Sequence, residues 1–93
     1  MSKLIKNEAP LCDSDIALIK PGTQVILETG YDMKGFLVEN VVVEVTRISG
    51  EEFFGTFVER NDHTSQNPNL FKSPFNSDLV NFTREYIFAF ENN

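Results

Sequence analysis

Two runs of β-branched and aromatic residues dominate the middle of the chain, Val41–Ile48 and Phe53–Arg60, and the dipeptide Ser49-Gly50 separates them. Stiff, branched side chains suit a pleated strand, and glycine adopts the positive φ that a tight turn requires. Alternate valines of the first run fall on one face, whereas two phases compete in the second run. The pattern predicts a β-hairpin and makes an all-β domain the leading expectation.

Shorter segments predict the remaining strands. Gln24–Thr29 alternates apolar and polar residues directly after the turn signal Pro21-Gly22. Leu79–Phe82 and Tyr86–Phe90 also have the composition of strands. A turn is expected between these last two segments, so the chain ends in a second closely spaced pair of strands.

Two stretches are less regular. The run Asp13-Ser14-Asp15 could cap a helical turn over residues 16–19, although a short strand fits that apolar run equally well. Phe36–Val38 is expected to form a short strand or a bulged lead-in, which Glu39-Asn40 then interrupts. Neither stretch changes the prediction of an all-β fold with at most one short helical turn near the N-terminus.

The domain organisation follows from this order of elements. Residues 1–14 are expected to form an N-terminal arm, and residues 15–93 a single β-domain with a long, polar loop at 61–77. Five or six short strands joined by turns favour a small antiparallel barrel, because closure removes the unpaired edges of a flat sheet.

Three segments carry a resemblance to a known family. They are PGTQV at residues 21–25, VEVTRISGEEFFG at residues 43–55 and VNFTREYI at residues 80–87. Their rhythm of an entry strand, a glycine-containing hairpin and a closing strand resembles that of small SH3-like barrel proteins of bacteria and phages. The resemblance covers roughly residues 21–90. It implies a five- to six-stranded SH3-like barrel and carries no catalytic residues across.

Composition and charge narrow the function classes. The chain has 93 residues, enough for one core, and a net charge of −6. A deficit of Lys and Arg argues against direct nucleic-acid binding and favours a protein partner with a basic surface. No apolar run has the length of a membrane span, the N-terminus does not resemble a signal peptide, and Cys12 is the single cysteine. We therefore expect a cytoplasmic protein without a disulfide.

No residue pattern predicts catalysis, a metal site or a cofactor. His63 is the single histidine and lies in the loop beside Asp62 and near Ser65. Adjacent loop residues rarely produce the stacked geometry of a catalytic triad, and two ligands are too few for a metal centre. A small-ligand site that uses the 61–77 loop is kept as one alternative function.

The acidic residues carry the leading hypothesis. They fall on predicted strands and turns, where a rigid frame could imitate the phosphates of a nucleic acid. This suggests a non-catalytic interaction protein, in its sharpest form a phage or mobile-element inhibitor of a host nucleic-acid-handling protein. Phe71 and Phe75 in the loop would extend the contact. The partner-binding set is Glu28, Glu44, Glu51, Glu52, Glu59, Asp62, Phe71 and Phe75.

The aromatic residues of the last strand suggest a second alternative. Tyr86, Phe88 and Phe90 share one phase and Ile87 the other, so the strand is apolar on both faces. Such a strand needs two coverings, and the second could be the arm, the loop, a partner or another copy of the chain. The alternative function is therefore a homo-oligomeric structural or accessory module, with a homodimer as its simplest form.

Overall fold

The computed structural model describes residues 3–30, 38–61, 75 and 77–91, and within them the chain is almost entirely antiparallel β-structure. In chain order the elements are β1 (Lys3–Ile5), α1 (Asp13–Ile16), β2 (Gln24–Gly30), β3 (Val38–Ser49), β4 (Glu52–Asn61), β5 (Leu79–Thr83), a 3-10 helix (Arg84–Tyr86) and β6 (Ile87–Glu91). The expectation of an all-β fold with little helix is confirmed.

The sheet has the strand order β1-β2-β3-β4-β5, and β6 pairs with β2. β1 and β6 share one edge of β2, because β1 pairs with residues 28–30 and β6 with residues 24–27. Within the described residues no ladder joins β5 to β6, so the paired strands do not form a closed ring. The pairing establishes a six-stranded antiparallel sheet, and the barrel stays a prediction.

The central hairpin of β3 and β4 is present, and its turn residue Gly50 has a φ of +61°. β3 is longer than expected, because Glu39-Asn40 does not interrupt it: the strand runs from Val38 to Ser49. Glu39 continues the ladder opposite Thr29 of β2. The prediction of a break there was wrong, because the carboxylate of Glu39 is buried and paired with Arg60 across the ladder.

One contiguous apolar cluster forms the core. The buried valines of β3 alternate as predicted, and the competing phases of β4 resolve with Phe53 and Phe57 inward. The ring of Phe53 stacks on that of Phe82, with centroids 5.6 Å apart and planes at 10°. The buried members are Ile19, Val25, Leu27, Val41, Val43, Val45, Phe53, Phe57, Val80, Phe82 and Ile87.

Three register shifts interrupt the ladders, each with one extra residue on one strand. The extra residues are Thr46 on β3, Val58 on β4 and Phe88 on β6. A bulge moves every later residue of its strand to the opposite face. The shift after Val45 therefore leaves Arg47 exposed, although strict alternation would have placed it on the core side.

The N-terminal segment is tied to the 3-10 helix and the start of β6. The backbone N–H of Asn7 donates to the carbonyl of Glu85 at 2.7 Å, and its side-chain amide donates to the carbonyl of Ile87 at 3.1 Å. Arg84 forms an ion pair with Asp13 at 2.6 Å and donates to the carbonyl of Leu11 at 3.1 Å. The segment predicted as an arm thus contributes strand β1, and it is also bonded to the 3-10 helix and to the start of β6.

The helical alternative near the N-terminus is the one that forms, but its position differs from the expected one. The residues expected to cap the helix are themselves helical, since α1 spans Asp13–Ile16 and Cys12 is its N-cap. The apolar side chain of Ile19 lies beyond α1 and is buried in the core.

Candidate functional site

The sheet face that points away from the core has an apolar centre. In register across the strands, Ala89 of β6, Ile26 of β2 and Val42 of β3 form one row, and Glu59 of β4 ends it. Ala89 is exposed, and Ile26 and Val42 are half-buried. Three apolar side chains in adjacent strands therefore form a small patch that the described part of the chain does not fully cover.

Acidic side chains surround this patch. The next row along the sheet places Glu91 of β6, Gln24 of β2 and Glu44 of β3 side by side. On the other side of the patch lies Glu28, opposite Asn40. We call the whole surface the acidic face. It consists of Ile26, Val42 and Ala89 with Glu28, Glu44, Glu59 and Glu91 around them.

The spacing of these carboxylates follows from the sheet lattice. Glu44 and Glu91 lie two strands apart, which places their Cα atoms roughly 9.6 Å from each other. Glu59 is one strand and two residues from Glu44, which corresponds to roughly 8 Å. No two of these acidic residues lie two apart on one strand. The charges therefore form a ring around apolar side chains and do not form a linear series along one strand.

The predicted partner-binding residues fall into three groups. Glu28, Glu44 and Glu59 are brought together on the acidic face, whereas Glu51 and Glu52 lie at the hairpin turn. Phe75 is half-buried and packs against the core cluster. Asp62 and Phe71 lie outside the described residues, as do His63 and Ser65.

The register of β6 does not place Tyr86, Phe88 and Phe90 on the common face that was expected. The extra residue at Phe88 places both Ile87 and Phe90 opposite inward residues of β2. Tyr86 and Phe90 are partly buried and pack against the core cluster. Of the three predicted interface aromatics, Phe88 alone is a bulge residue and is not part of that packing in the described structure.

An ion pair inside the sheet was missed by the sequence analysis. Nε of Arg60 lies 2.8 Å from Oε2 of Glu39, and Nη2 of Arg60 donates to Oε1 at 2.9 Å. Their side chains are 13% and 10% exposed. The pair lies beside Val41, because Arg60 is the cross-strand neighbour of Val41 and Glu39 is two residues before it. Opposite charges 21 positions apart were a usable signal only with the hairpin register known.

Glu91 was also missed as a member of the acidic face. It joins the face because β6 pairs with β2, two strands that lie far apart in the sequence. No local pattern in the sequence specifies that pairing.

Several other chemistries have no support in the described residues. Across them, no group of three or more His, Cys, Asp or Glu side chains is placed to hold a metal ion. Cys12 is exposed, and its sulfur lies 3.1 Å from the hydroxyl of Ser14. Among the described residues, no helix has both the length and the apolar composition that crossing a membrane requires.

Comparison with known proteins adds no identification: no family model, no curated protein and no solved structure matches this chain.

Proposed function

We propose that this protein is a non-catalytic interaction protein whose acidic face binds a basic surface on another protein. The observation that carries the proposal is the arrangement of that face, in which Glu28, Glu44, Glu59 and Glu91 surround a small apolar centre. Interfaces between proteins have this organisation, with an apolar core that excludes water and a charged rim that selects the partner. The net charge of −6 would speed the approach of a basic partner.

The frame that we propose for this face is a small SH3-like barrel. The strand order supports it, since β2 to β5 run as a meander and β6 returns to the part of the β2 edge that β1 leaves unpaired. The 3-10 helix between β5 and β6 supplies the sharp change of direction that such a return requires. Right-handed twist between successive strands would then curl the sheet around the core.

Inhibition of a nucleic-acid-handling protein is the sharpest form of this proposal. Carboxylates on a stiff sheet are held in fixed positions, so a basic groove could accept them in place of phosphates. The ring of charges around an apolar centre suits a protein surface that offers both basic and apolar side chains. Affinity that persists at moderate salt would separate such a mixed contact from a purely ionic one.

The test compares two triple variants with the same net charge. The first, Glu44→Gln with Glu59→Gln and Glu91→Gln, removes charge from the acidic face. The control, Glu8→Gln with Glu51→Gln and Glu52→Gln, removes as much charge from exposed positions outside the acidic face, two of them at the hairpin turn. Affinity capture followed by mass spectrometry identifies partners of the natural chain, and calorimetry then measures each variant against the purified partner.

We expect the acidic-face variant to lose at least tenfold in affinity and the control to stay within about twofold. Exposed charges outside the contact contribute little to the affinity. Equal losses in both variants would reduce the contact to non-specific charge attraction. Unchanged affinity in the acidic-face variant would refute the proposal. Circular dichroism of both variants checks that the fold is retained.

Self-association is a second candidate, and the bulge at Phe88 is the observation that favours it. Phe88 is half-buried, and β6 pairs with β2 alone among the described strands. A homodimer through β6 predicts a mass of twice 10.6 kDa in sedimentation at micromolar concentration, and a monomer for Phe88→Ser. A monomeric natural chain would exclude it. The third candidate, a small-ligand site in the 61–77 loop, relies on Asp62 and His63, outside the described residues.

A further inference from the structure

A concave notch lies on the same outward side of the sheet, where β5 lies beside the beginning of β4. Its volume is about 280 Å³, and its lining residues are Thr46, Phe54, Gly55, Leu79, Val80 and Asn81. Leu79 is 74% exposed, which makes it the most exposed large apolar side chain among the described residues. We infer that this notch receives one aliphatic side chain from the basic segment of the partner protein, an inference that rests on the proposed function.

The size of the notch favours a single side chain over a cofactor. Sites for drug-sized molecules usually have volumes of about 300–1,000 Å³ and enclose most of the ligand. This notch is smaller, and it is open on the surface of the sheet. Gly55 and Val80 contribute to its floor, and the side chains of Phe54 and Leu79 point to the same outward side of the sheet.

The polar groups of the notch do not compete for the same occupant. The hydroxyl of Thr46 donates to the carbonyl of Phe54 at 3.2 Å, so its proton is already used. The guanidinium carbon of Arg47 lies 4.1 Å from the centroid of the Phe54 ring and covers that ring with a positive charge. An aliphatic side chain can enter beside Leu79 without displacing either contact, whereas a second cation would meet Arg47.

Register connects the notch to the acidic face. Leu79 of β5 is paired with Thr56 of β4, which is paired with Glu44 of β3. The Cα atoms of Leu79 and Glu44 are therefore roughly 9.6 Å apart, which is two strand spacings. A peptide with Lys or Arg on both sides of a Leu can place the Leu in the notch and a cation near Glu44. A second copy of this chain is a poorer occupant, because both copies carry a charge of −6.

The experiment uses two synthetic pentapeptides, KKLKK and KKSKK, titrated into the full-length ¹⁵N-labelled protein at low salt. We expect KKLKK to shift the amide resonances of Phe54, Gly55 and Leu79, and to bind about tenfold more tightly than KKSKK, as burial of an aliphatic side chain implies. In Leu79→Ser, the two peptides should bind equally. Asn81→Ser serves as the matched control, since it changes a polar side chain of the same notch.

The outcomes separate this inference from the proposed function. Equal affinity of both peptides for the natural chain, with shifts at Glu44 and Glu91 and none at the notch, would overturn the inference and leave the acidic face supported. Absence of any shift on the acidic face with either peptide would count against the proposed function itself. A tenfold preference for KKLKK that survives Leu79→Ser would also overturn the inference, because the aliphatic side chain would then bind elsewhere.

Discussion

Replacing Arg60 with Met should destabilise the fold by about 3–5 kcal/mol, because it leaves the carboxylate of Glu39 buried without a counter-charge. The two side chains form a side-on pair through contacts of 2.8 and 2.9 Å, and both are nearly buried. The variant keeps the length of the apolar stem of Arg60, so the loss comes mainly from the charge.

The magnitude follows from two opposing terms. Opposite charges about 4 Å apart attract by about 4 kcal/mol at an effective dielectric constant of 20. Removing each ion from water costs several kcal/mol, so the intact pair of Glu39 and Arg60 contributes little net stability. Loss of one partner removes the attraction and leaves the desolvation cost of the other. A domain of this length is stable by roughly 5–14 kcal/mol, so the single variant loses a large part of the total.

The assay is a double-mutant cycle by urea unfolding, with Arg60→Met, Glu39→Leu and the double variant. We expect each single variant to cost about 3 kcal/mol or more, and the double variant to recover to within about 2 kcal/mol of the natural chain. Thermal unfolding should show the same order, with the midpoint of Arg60→Met lower by at least roughly 12 °C.

Asp13→Asn provides the matched control. The ion pair of Asp13 with Arg84 has a comparable contact of 2.6 Å, but its side chains are 92% and 37% exposed. We expect a cost below about 1 kcal/mol, and a further decrease at high salt. A cost below about 1 kcal/mol for Arg60→Met, or additive effects in the cycle, would refute the argument that burial gives the Glu39–Arg60 pair its importance.

Three further substitutions test other parts of the structure by urea unfolding. Asn7→Ala should cost about 1–3 kcal/mol, because the carbonyl of the buried residue Ile87 loses its donor, and a change within experimental error would contradict the docking of the N-terminal segment. Gly55→Ala should cost about 1–3 kcal/mol, since the new Cβ would lie 2.6 Å from a backbone oxygen of β3; a neutral result would mean that the strands separate freely. Hydrogen bonds from the Thr83 hydroxyl and, second, from the backbone N–H of Glu85 lower the pKa of the Glu85 carboxyl below its ordinary value of 4.5. Glu85 therefore stabilises the fold above that pH, and this contribution is lost as the pH falls through the lowered pKa. Glu85→Gln should therefore flatten the loss of stability that begins as the pH falls below 4.5, and an unchanged acid limb would show that other carboxylates dominate it.

The sequence predicted those parts of the fold that depend on local periodicity. The alternating valines of β3 and the apolar positions of β2 are buried as expected, because a period of two fixes one face of a strand. The turn at Gly50 was equally local. These features need no knowledge of which strands are neighbours.

Features that depend on register could not be predicted in this way. An extra residue at Phe88 reverses the phase of β6, so the expected common face of Tyr86, Phe88 and Phe90 does not form. The bulge is a property of the pairing with β2, and nothing in the local composition marks it. The acidic face has the same origin, because Glu91 and Glu44 become neighbours only through β2.

The buried ion pair of Glu39 and Arg60 depends on both local periodicity and strand register. Glu39 interrupts an apolar run, which is a local reason to end a strand, yet β3 continues through it because Arg60 is placed across the ladder. If β3 and β4 slipped by one residue in register, Glu39 and Arg60 would turn to the outer face, together with the valines of β3. Because the two charges face each other at this register alone, we expect the pair to disfavour slipped alignments more than it stabilises the native one. The acidic face is assembled by that same register, so we expect the interior pair to help hold Glu44 and Glu59 in their positions.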